Sequence, residues 1–409
     1  MVNFLGRERL VFGPWSAFER ALVRFFLHQG FPNVEYTGGP GDKGCDILVL
    51  DEENEKIVVQ CKFSTHSQKP GKKEGVEDLK RACISYESNQ GLLCINSKRL
   101  GPAGIDLMNE MTELGFDVKL WKYRDLIRKS ENLSEFSAKR KTLREYQSDA
   151  VRKSFESLQK SGRALVEMAT GLGKTVVMAE IISKFLSLNP DWKVLILANS
   201  NPIISQVERA IWSQLPKHVM THILSGSEKP ILDSGVTVST FQSLIKAYEN
   251  GKKIPEYDLV LVDECHWAHA DSYSAIIGAI ARNARLMGVT ATPWRGDKRD
   301  ITEIFGPPVY QKGIVEGINE GWLANINYEM YADNVDWKKV SMLSREGHTI
   351  KGLNSKLFLP IRDQEIVDNV FSKWKKQDCP KIITFCQSQP HAEKLCETFN
   401  AFGLPTRYI

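Results

Sequence analysis

At 409 residues the chain has room for two or three domains, and 42% hydrophobic with 25% charged residues is ordinary globular composition. A net charge of +4 gives no global sign of nucleic-acid binding, so any basic surface must be local. No apolar run approaches the ~20 residues that a bilayer span needs. Met1 to Leu10 carries Arg7, Glu8 and Arg9 where a signal core would be, which points to the cytoplasm. The eight cysteines are scattered without a C-x-x-C pair, arguing against disulfides and structural zinc.

In chain order, Trp15 to His28 has the spacing of an amphipathic helix, with Phe18, Leu22, Phe25 and Phe26 on its apolar side. Glu19 shares a stripe with Val23 and Phe26, either as a solvated flank residue or as a buried functional carboxylate. The glycine-rich turn Thr37 to Gly44 leads to two strand-like runs, Asp46 to Leu50 and Lys56 to Lys62. The polar segment Asp51 to Glu55 between them makes a hairpin. With that loop, Leu50 opposes Lys56, Leu48 opposes Val58, and Asp46 opposes Gln60. Ile47, Val49, Ile57, Val59 and Cys61 then form an apolar face, while Asp46, Gln60 and Lys62 gather at one end of the other. A one-residue slip would undo this.

A carboxylate, an amide and an amine so placed suit Mg²⁺-dependent phosphodiester hydrolysis. A hard cation takes oxygen ligands from Asp46, the Gln60 amide oxygen or a backbone carbonyl and supplies an activated water and charge shielding. Lys62 can orient that water or stabilise developing negative charge, and Glu19 can complete the cation site. Glu19, Gly44-Cys45-Asp46 and Gln60-Cys61-Lys62 resemble the Mrr-type restriction endonucleases of the PD-(D/E)xK group. The likeness covers roughly Phe12 to Lys122. It implies a mixed sheet flanked by helices and a DNA-cleaving activity. Gln60 stands where the wider group has Glu or Asp, and Mrr-like members commonly have Gln. The alternative is a DNA-binding version of the fold without catalysis. Val76 to Ser88 and Ala103 to Leu114 are predicted helices. Gly91 to Asn96 and Phe116 to Trp121 are predicted strands.

Arg128 to Thr142 is polar and charged and is predicted to be a linker, after which Thr142-Leu143-Arg144-Glu145 fits a capping box. The apolar run Ala164 to Val166, the loop Met168-Ala169-Thr170-Gly171-Leu172-Gly173-Lys174-Thr175 and the helical pattern Val176 to Leu186 form strand, glycine loop and helix. In that context Gly171 and Gly173 aim backbone N–H groups at phosphates, Lys174 reaches the β- and γ-phosphates of a nucleotide, and Thr175 ligates Mg²⁺. Strand and helix then alternate. Val194 to Ala198, Val236 to Ser239, Leu259 to Val262 and Leu286 to Val289 are strands, while Ile203 to Gln214 and Phe241 to Asn250 are helices. Such runs argue for a parallel sheet buried on both faces. Leu259 to Val262 ends in Asp263-Glu264-Cys265-His266. Asp263 is placed to hold Mg²⁺ and Glu264 to position the attacking water.

Together these residues resemble superfamily 2 helicases and translocases of the DECH-box kind, in the motor form of restriction enzymes. The likeness implies an adenine-recognising segment at Leu143 to Gln147 that includes Arg144 and Gln147. It implies ATP binding by Thr170, Gly171, Gly173, Lys174, Thr175 and Asp263. It also implies nucleic-acid contact or coupling by Thr240 and Gln242 in Ser239-Thr240-Phe241-Gln242 and by Thr290 and Thr292 in Thr290-Ala291-Thr292. Asn199 to Gln206 occupies the place of a further motif with an unusual sequence. Lys381 to Phe385 is a predicted strand and Gln387 to Phe399 a predicted helix, resembling the opening of a second RecA-like domain. A complete one needs ~100 further residues. The expected domains are therefore a nuclease domain at 1–127, a linker at 128–142, a first RecA-like domain at 143–310, a connecting segment at 311–376 and an incomplete second RecA-like domain at 377–409.

The fold expectation is α/β: a restriction-endonuclease-like mixed sheet, then a RecA-like parallel-sheet P-loop domain. The functional expectation is an ATP- and Mg²⁺-dependent DNA translocase fused to an endonuclease, in restriction or defence. Its partner is duplex DNA, with partner subunits or a further motor domain supplying the rest of the ATPase cleft, and no membrane. The chain alone is expected to hydrolyse ATP poorly. An RNA-dependent ATPase is the alternative for the motor, since DECH boxes also occur in RNA sensors. His218 and His222 are four apart without a third ligand nearby, and Trp267 and His269 fit either DNA contact or structural roles.

Overall fold

The computed structural model describes residues 3–38, 43–66, 68–226, 228–231, 234–249, 256–269, 271–292, 301–330, 359–386 and 388–408. Gly39 to Asp42 of the predicted turn and Asn250 of a predicted helix lie outside these residues. The chain divides into two units, Met1–Asn325 and Ile326–Ile409.

The first unit opens with α1 (Arg7–Phe12) and α2 (Trp15–Gln29). Phe18, Leu22, Phe25 and Phe26 of α2 are all buried, as their spacing predicts. Then follow β1 (Asn33–Tyr36), β2 (Ile47–Leu50), β3 (Lys56–Lys62), α3 (Glu74–Ser85), β4 (Gln90–Ile95), α4 (Pro102–Glu113), β5 (Asp117–Trp121) and α5 (Tyr123–Glu131). The strands form one mixed sheet in the order β1-β2-β3-β4-β5, with β1, β2 and β3 antiparallel and β3, β4 and β5 parallel. Ile47, Val49, Val59 and Cys61 pack with the apolar side of α2. Val58, Leu93 and Ile95 on the opposite face pack with Val76 and Leu79 of α3. The hairpin register is the expected one at Leu50↔Lys56 and Leu48↔Val58. The ladder stops at Ile47↔Val59, however, and Asp46 lies just outside the strand, donating its N–H to Val59 O at 3.1 Å. The predicted linker also needs correction, because α5 runs through Arg128 to Glu131. Its apolar residues Leu126 and Ile127 pack into the core and carry the helix past the polar composition.

The second half of the unit contains α6 (Glu145–Lys160), β6 (Arg163–Met168), α7 (Lys174–Leu188), β7 (Lys193–Ala198), α8 (Asn201–Trp212), β8 (Thr221–Leu224), β9 (Gly235–Thr240), α9 (Phe241–Glu249) and β10 (Leu259–Asp263). A 3₁₀ turn (Cys265–His269), α10 (Asp271–Ile280), β11 (Arg285–Thr290), α11 (Thr302–Phe305), β12 (Pro308–Lys312) and α12 (Ile314–Asn319) complete it. Its seven strands are all parallel, in the order β12-β6-β11-β10-β7-β9-β8. The central strands are buried throughout, which is why they read as unbroken Val, Ile and Leu runs. The capping box at the start of α6 is displaced from the predicted one. Arg144 is the N-cap, and Gln147, not Glu145, returns its Oε1 to the Arg144 N–H at 3.0 Å. The helix begins later than the Thr142 pattern suggests, so the third helical position moves with it.

The two halves are bound into one body. Arg20 of α2 donates from Nε to Glu208 of α8 at 2.8 Å and from both terminal nitrogens to Glu228 at 2.8 and 2.6 Å. Arg24 reaches Val219 O at 2.7 Å and Pro216 O at 3.1 Å, and Arg9 reaches Thr221 O at 2.8 Å. Glu208 is 1% exposed, so removing its charge partner would leave a buried anion, a loss of about 3–5 kcal/mol. The segment after α5 is drawn into the same contact, since Ala138 N–H donates to His28 O and Lys141 N–H to Gln214 Oε1.

In the second unit, α13 (Leu359–Lys376) and α14 (Gln389–Ala401) pack through Val367, Leu395 and Phe399. The helix predicted at Gln387 to Phe399 is α14, with Gln387 itself outside the described residues. Lys381 to Phe385 is not a strand. A strand needs a neighbour for its N–H and C=O groups. None lies beside it among the described residues, and Ile383 and Phe385 are 82% and 93% exposed.

Candidate functional site

At one end of the mixed sheet the predicted nuclease residues come together from separate elements. Asp46, 6% exposed, accepts the Cys61 N–H on Oδ2 at 2.6 Å, which carries its carboxylate across to β3 without a ladder pair. Gly44 allows the approach: its φ is +85°, and a Cβ there would stand 2.6 Å from Asp78 O. Gln60, 2% exposed, donates weakly to Cys61 O at 3.4 Å. Its Oε1 is buried with no hydrogen-bond partner among the described residues. Glu19 on α2 is 6% exposed and accepts a hydrogen bond from the Tyr36 hydroxyl at 2.8 Å, so it is the buried alternative of the two that its sequence left open. Burial, reinforced by the charges of Asp46 and Glu19, pushes the Cys61 thiol well above its ordinary range, so both carboxylates act on the same strand end. Lys62 goes elsewhere, pairing with Asp78 of α3 at 2.7 Å.

This donor set fits a hard cation in one respect above the others. A buried amide oxygen without a donor is costly, and a divalent cation is a partner it can take. Among the described residues no three His, Cys, Asp or Glu side chains gather as a metal-ligand group. A cation here would therefore draw on Asp46, the Gln60 amide and Glu19 together with backbone or water.

The second cluster sits at the carboxyl ends of β6, β10 and β11. Gly173 has φ +90°, and a Cβ there would lie 2.5 Å from the Gln147 amide nitrogen. That nitrogen donates to Leu172 O at 2.9 Å, as does the Tyr146 hydroxyl at 2.9 Å. The predicted adenine segment thus clamps the glycine loop directly. Lys174 heads α7 and is 9% exposed; its amine pairs with Glu264 at 3.3 Å and reaches Met168 O at 3.5 Å. Thr175 follows it on the first turn of α7, while Thr170 and Gly171 form the loop. Asp263 ends β10, and its carboxyl is raised above the usual range, by burial and then by Glu264, against the opposing charge of Lys174. Glu264 takes a left-handed φ of +47°, a conformation that side chains other than glycine rarely adopt.

His266 extends this cluster. Its Nδ1 lies 2.9 Å from Thr290 Oγ1 and 3.4 Å from Glu264 Oε2. Lys174, Glu264, His266 and Thr290 thus form one chain of contacts, and Thr290 Oγ1 continues it by accepting the Thr292 N–H at 3.2 Å. Thr240 and Gln242 lie apart from it. Thr240 Oγ1 accepts the Ser243 N–H at 3.1 Å at the start of α9, and Gln242 donates to the Tyr273 hydroxyl at 2.8 Å. The roles of Tyr36 and Asp78 carried no signal of spacing, and His266 was marked only as the last residue of the Asp263-Glu264-Cys265-His266 stretch. Nor did the placement of Trp322, whose ring lies 5.3 Å from Tyr146 and under the Arg144 guanidinium. His218 pairs with Glu135 at 2.7 Å, His222 is buried between the two halves, and Trp267 is 36% exposed beside His266.

Fold and site define a parallel sheet with a glycine loop and a Lys174–Glu264 pair at its carboxyl ends, joined to a mixed sheet whose end carries Glu19, Asp46 and Gln60. Residues 13–129 match the family described as restriction endonuclease, Mrr_cat, and residues 140–295 match ResIII, the res subunit of Type III restriction enzymes. The chain is 27% identical over 277 residues to a Type I restriction enzyme EcoAI endonuclease subunit of Escherichia coli, covering 62% of this chain and 34% of that one. It is 33% identical over 177 residues to the DNA 3'-5' translocase XPB2 of Sulfurisphaera tokodaii, covering 42% and 36%. A solved structure of the ATP-dependent Type ISP restriction-modification enzyme LlaBIII bound to DNA aligns with TM-score 0.38 and 19% identity, over 74% of this chain and 24% of that one. The chain spans well under half the length of the curated relatives it matches. The two family matches follow one another along the chain, the first on the part that carries the mixed sheet and the second on the part that carries the parallel sheet.

Proposed function

We propose that the protein is an ATP-dependent translocase on duplex DNA that cleaves DNA with a divalent cation, in restriction or defence. The observation that supports this best is the contact chain Lys174–Glu264–His266–Thr290. It joins the phosphate-binding lysine to the Thr290–Thr292 segment and lies in the same body as the nuclease cluster. Lys174, Thr175 and Asp263 would hold the nucleotide phosphates with Mg²⁺, Glu264 would orient the attacking water, and Gln147 and Arg144 would bind the base. In the nuclease domain Asp46, Gln60 and Glu19 hold Mg²⁺, which when bound supplies Lewis acidity at the phosphodiester. Lys62, released from Asp78 by the incoming phosphate, stabilises the charge on the reacting group. Cleavage of duplex DNA by the full chain with Mg²⁺ and ATP, set beside the same assay on Lys174→Ala and Glu264→Gln, tests this. With the rest of the ATPase cleft supplied, Glu264→Gln should bind ATP and fail to hydrolyse it where the parent does. Equal stimulation of the ATPase by duplex RNA and duplex DNA would overturn the DNA assignment.

The Lys62–Asp78 ion pair favours a second reading, in which the nuclease fold recognises DNA without cutting it. Absence of Mg²⁺-dependent cleavage while DNA binding persists would select that reading.

A further inference from the structure

Glu19 is held from two sides, and both sides lead to the same helix of the helicase domain. On one side, the next residue on α2 is Arg20, whose Nε donates to Glu208 of α8 at 2.8 Å. Glu208 is itself fixed by the Thr221 hydroxyl at 2.7 Å, which the Trp212 indole N–H supports at 3.0 Å. On the other side, Glu19 accepts from Tyr36 at 2.8 Å, and Tyr36 ends β1. Two residues earlier on that strand, Val34 O accepts a hydrogen bond from the guanidinium of Arg209, again on α8. Consecutive residues of one helicase-domain helix therefore grip the two nuclease elements whose meeting point is the Glu19–Tyr36 hydrogen bond. The same helix packs along α7, which carries Lys174 and Thr175 at its start.

We propose that α8 is a positioning element of the nuclease. Glu208 acting through Arg20, and Arg209 acting through Val34, set the place of Glu19 and Tyr36, so the cation site is completed from across the domain boundary. This rests on the reading of Glu19 and Asp46 as cation-binding residues. Its physical basis is that groups behind metal ligands fix their orientation, and their loss costs about ten- to a hundredfold in metal affinity. Arg209 and Tyr36 are partly exposed, and Glu208→Gln preserves shape while Arg20 keeps Glu228, so the fold survives these changes.

The test is calorimetric titration of Mg²⁺ into the full chain without nucleotide or DNA, alongside cleavage as a function of Mg²⁺. Glu208→Gln, Arg209→Ala and Tyr36→Phe should each weaken cation binding about tenfold and raise the Mg²⁺ needed for half-maximal cleavage by a similar factor. ATP affinity should stay unchanged. Lys217→Met is the control: it removes contacts to Glu131 O and Leu133 O at the same interface without touching α2 or β1, and should leave Mg²⁺ affinity at the parent value. Parent-like Mg²⁺ binding in the Glu208, Arg209 and Tyr36 variants, with binding lost in Asp46→Ala, would overturn the positioning role alone. Equal weakening by Lys217→Met would show a general clamp instead and also overturn it. Undiminished binding and cleavage in Asp46→Ala would overturn the nuclease reading beneath it.

Discussion

The nucleotide cluster and the nuclease cluster are built in opposite ways. The first is placed chiefly by backbone: a glycine loop, the head of α7 and the ends of parallel strands set Lys174, Asp263 and Glu264, with the Tyr146 and Gln147 side chains fastening the loop. The second is made by side chains arriving from α2, β1, the turn before β2, β3 and α3, and each is fixed by a different neighbour. A site of the first kind is robust to change at a distance and fragile within its loop. A site of the second kind should respond to residues that never touch the substrate.

Asp46→Ala is the sharpest break on the nuclease side. Asp46 accepts the N–H of Cys61, the residue next to Gln60, whose buried amide oxygen has no hydrogen-bond partner among the described residues. Its loss should lower Mg²⁺-dependent cleavage by more than about a hundredfold, beyond what groups behind a ligand cost, while fluorescent-nucleotide binding stays at the parent level. A parallel fall in nucleotide binding would show that the two sites are not separable. Lys174→Ala is its counterpart. Losing a charge-assisted contact of about 1.5–3 kcal/mol should weaken ATP binding roughly ten- to a hundredfold without changing Mg²⁺ affinity of the nuclease. Unchanged ATP affinity would contradict the phosphate-loop role.

Gly173→Ala probes how far the nucleotide site depends on backbone alone. A side chain at φ +90° costs about 1–3 kcal/mol, and its Cβ would displace the Gln147 amide. Both thermal stability and nucleotide affinity should fall, and a variant with parent-like melting and binding would show that the loop tolerates another conformation.

Acid titration acts on the interface that the nuclease side depends on, and it reads stability and neither site directly. Burial, with Arg9 adding to it, lowers the His222 imidazole from 6.5 to about 3. The unfolded chain therefore binds this proton more readily, and the stability tied to neutral His222 is complete above about pH 6.5 and lost as pH falls towards 3. For Glu228 burial would raise the carboxyl, but hydrogen bonds and charge from Arg20 outweigh it, leaving it below its ordinary 4.5. That contribution is present above 4.5 and lost as pH falls through the depressed folded value. Both terms have the same sign. The melting temperature should decline on acidification from pH 6.5, and His222→Gln should flatten the first part of that decline, nearest pH 6.5, where the His222 contribution is lost ahead of that of Glu228. An unaltered slope would mean that His222 does not report the interface.

While the mixed sheet entered as what the resemblance implies, the sequence by itself determined the parallel sheet, the hairpin register at Leu48↔Val58 and the strand, glycine loop and helix around Gly171 and Gly173. These follow from local periodicity and from motifs whose members are neighbours in the chain, so the information is contiguous. The tertiary structure alone decided that Glu19 is buried and bonded to Tyr36, that Lys62 faces Asp78, and that His266 links Glu264 to Thr290. It also decided that α5 continues into the polar segment and that Lys381 to Phe385 is not a strand. Each of these depends on what another part of the chain places within a few ångströms. Arg20 has no sequence feature that distinguishes it from a solvated surface arginine, and it becomes a buried interdomain contact only because Glu208 and Glu228, some two hundred positions away, come to meet it.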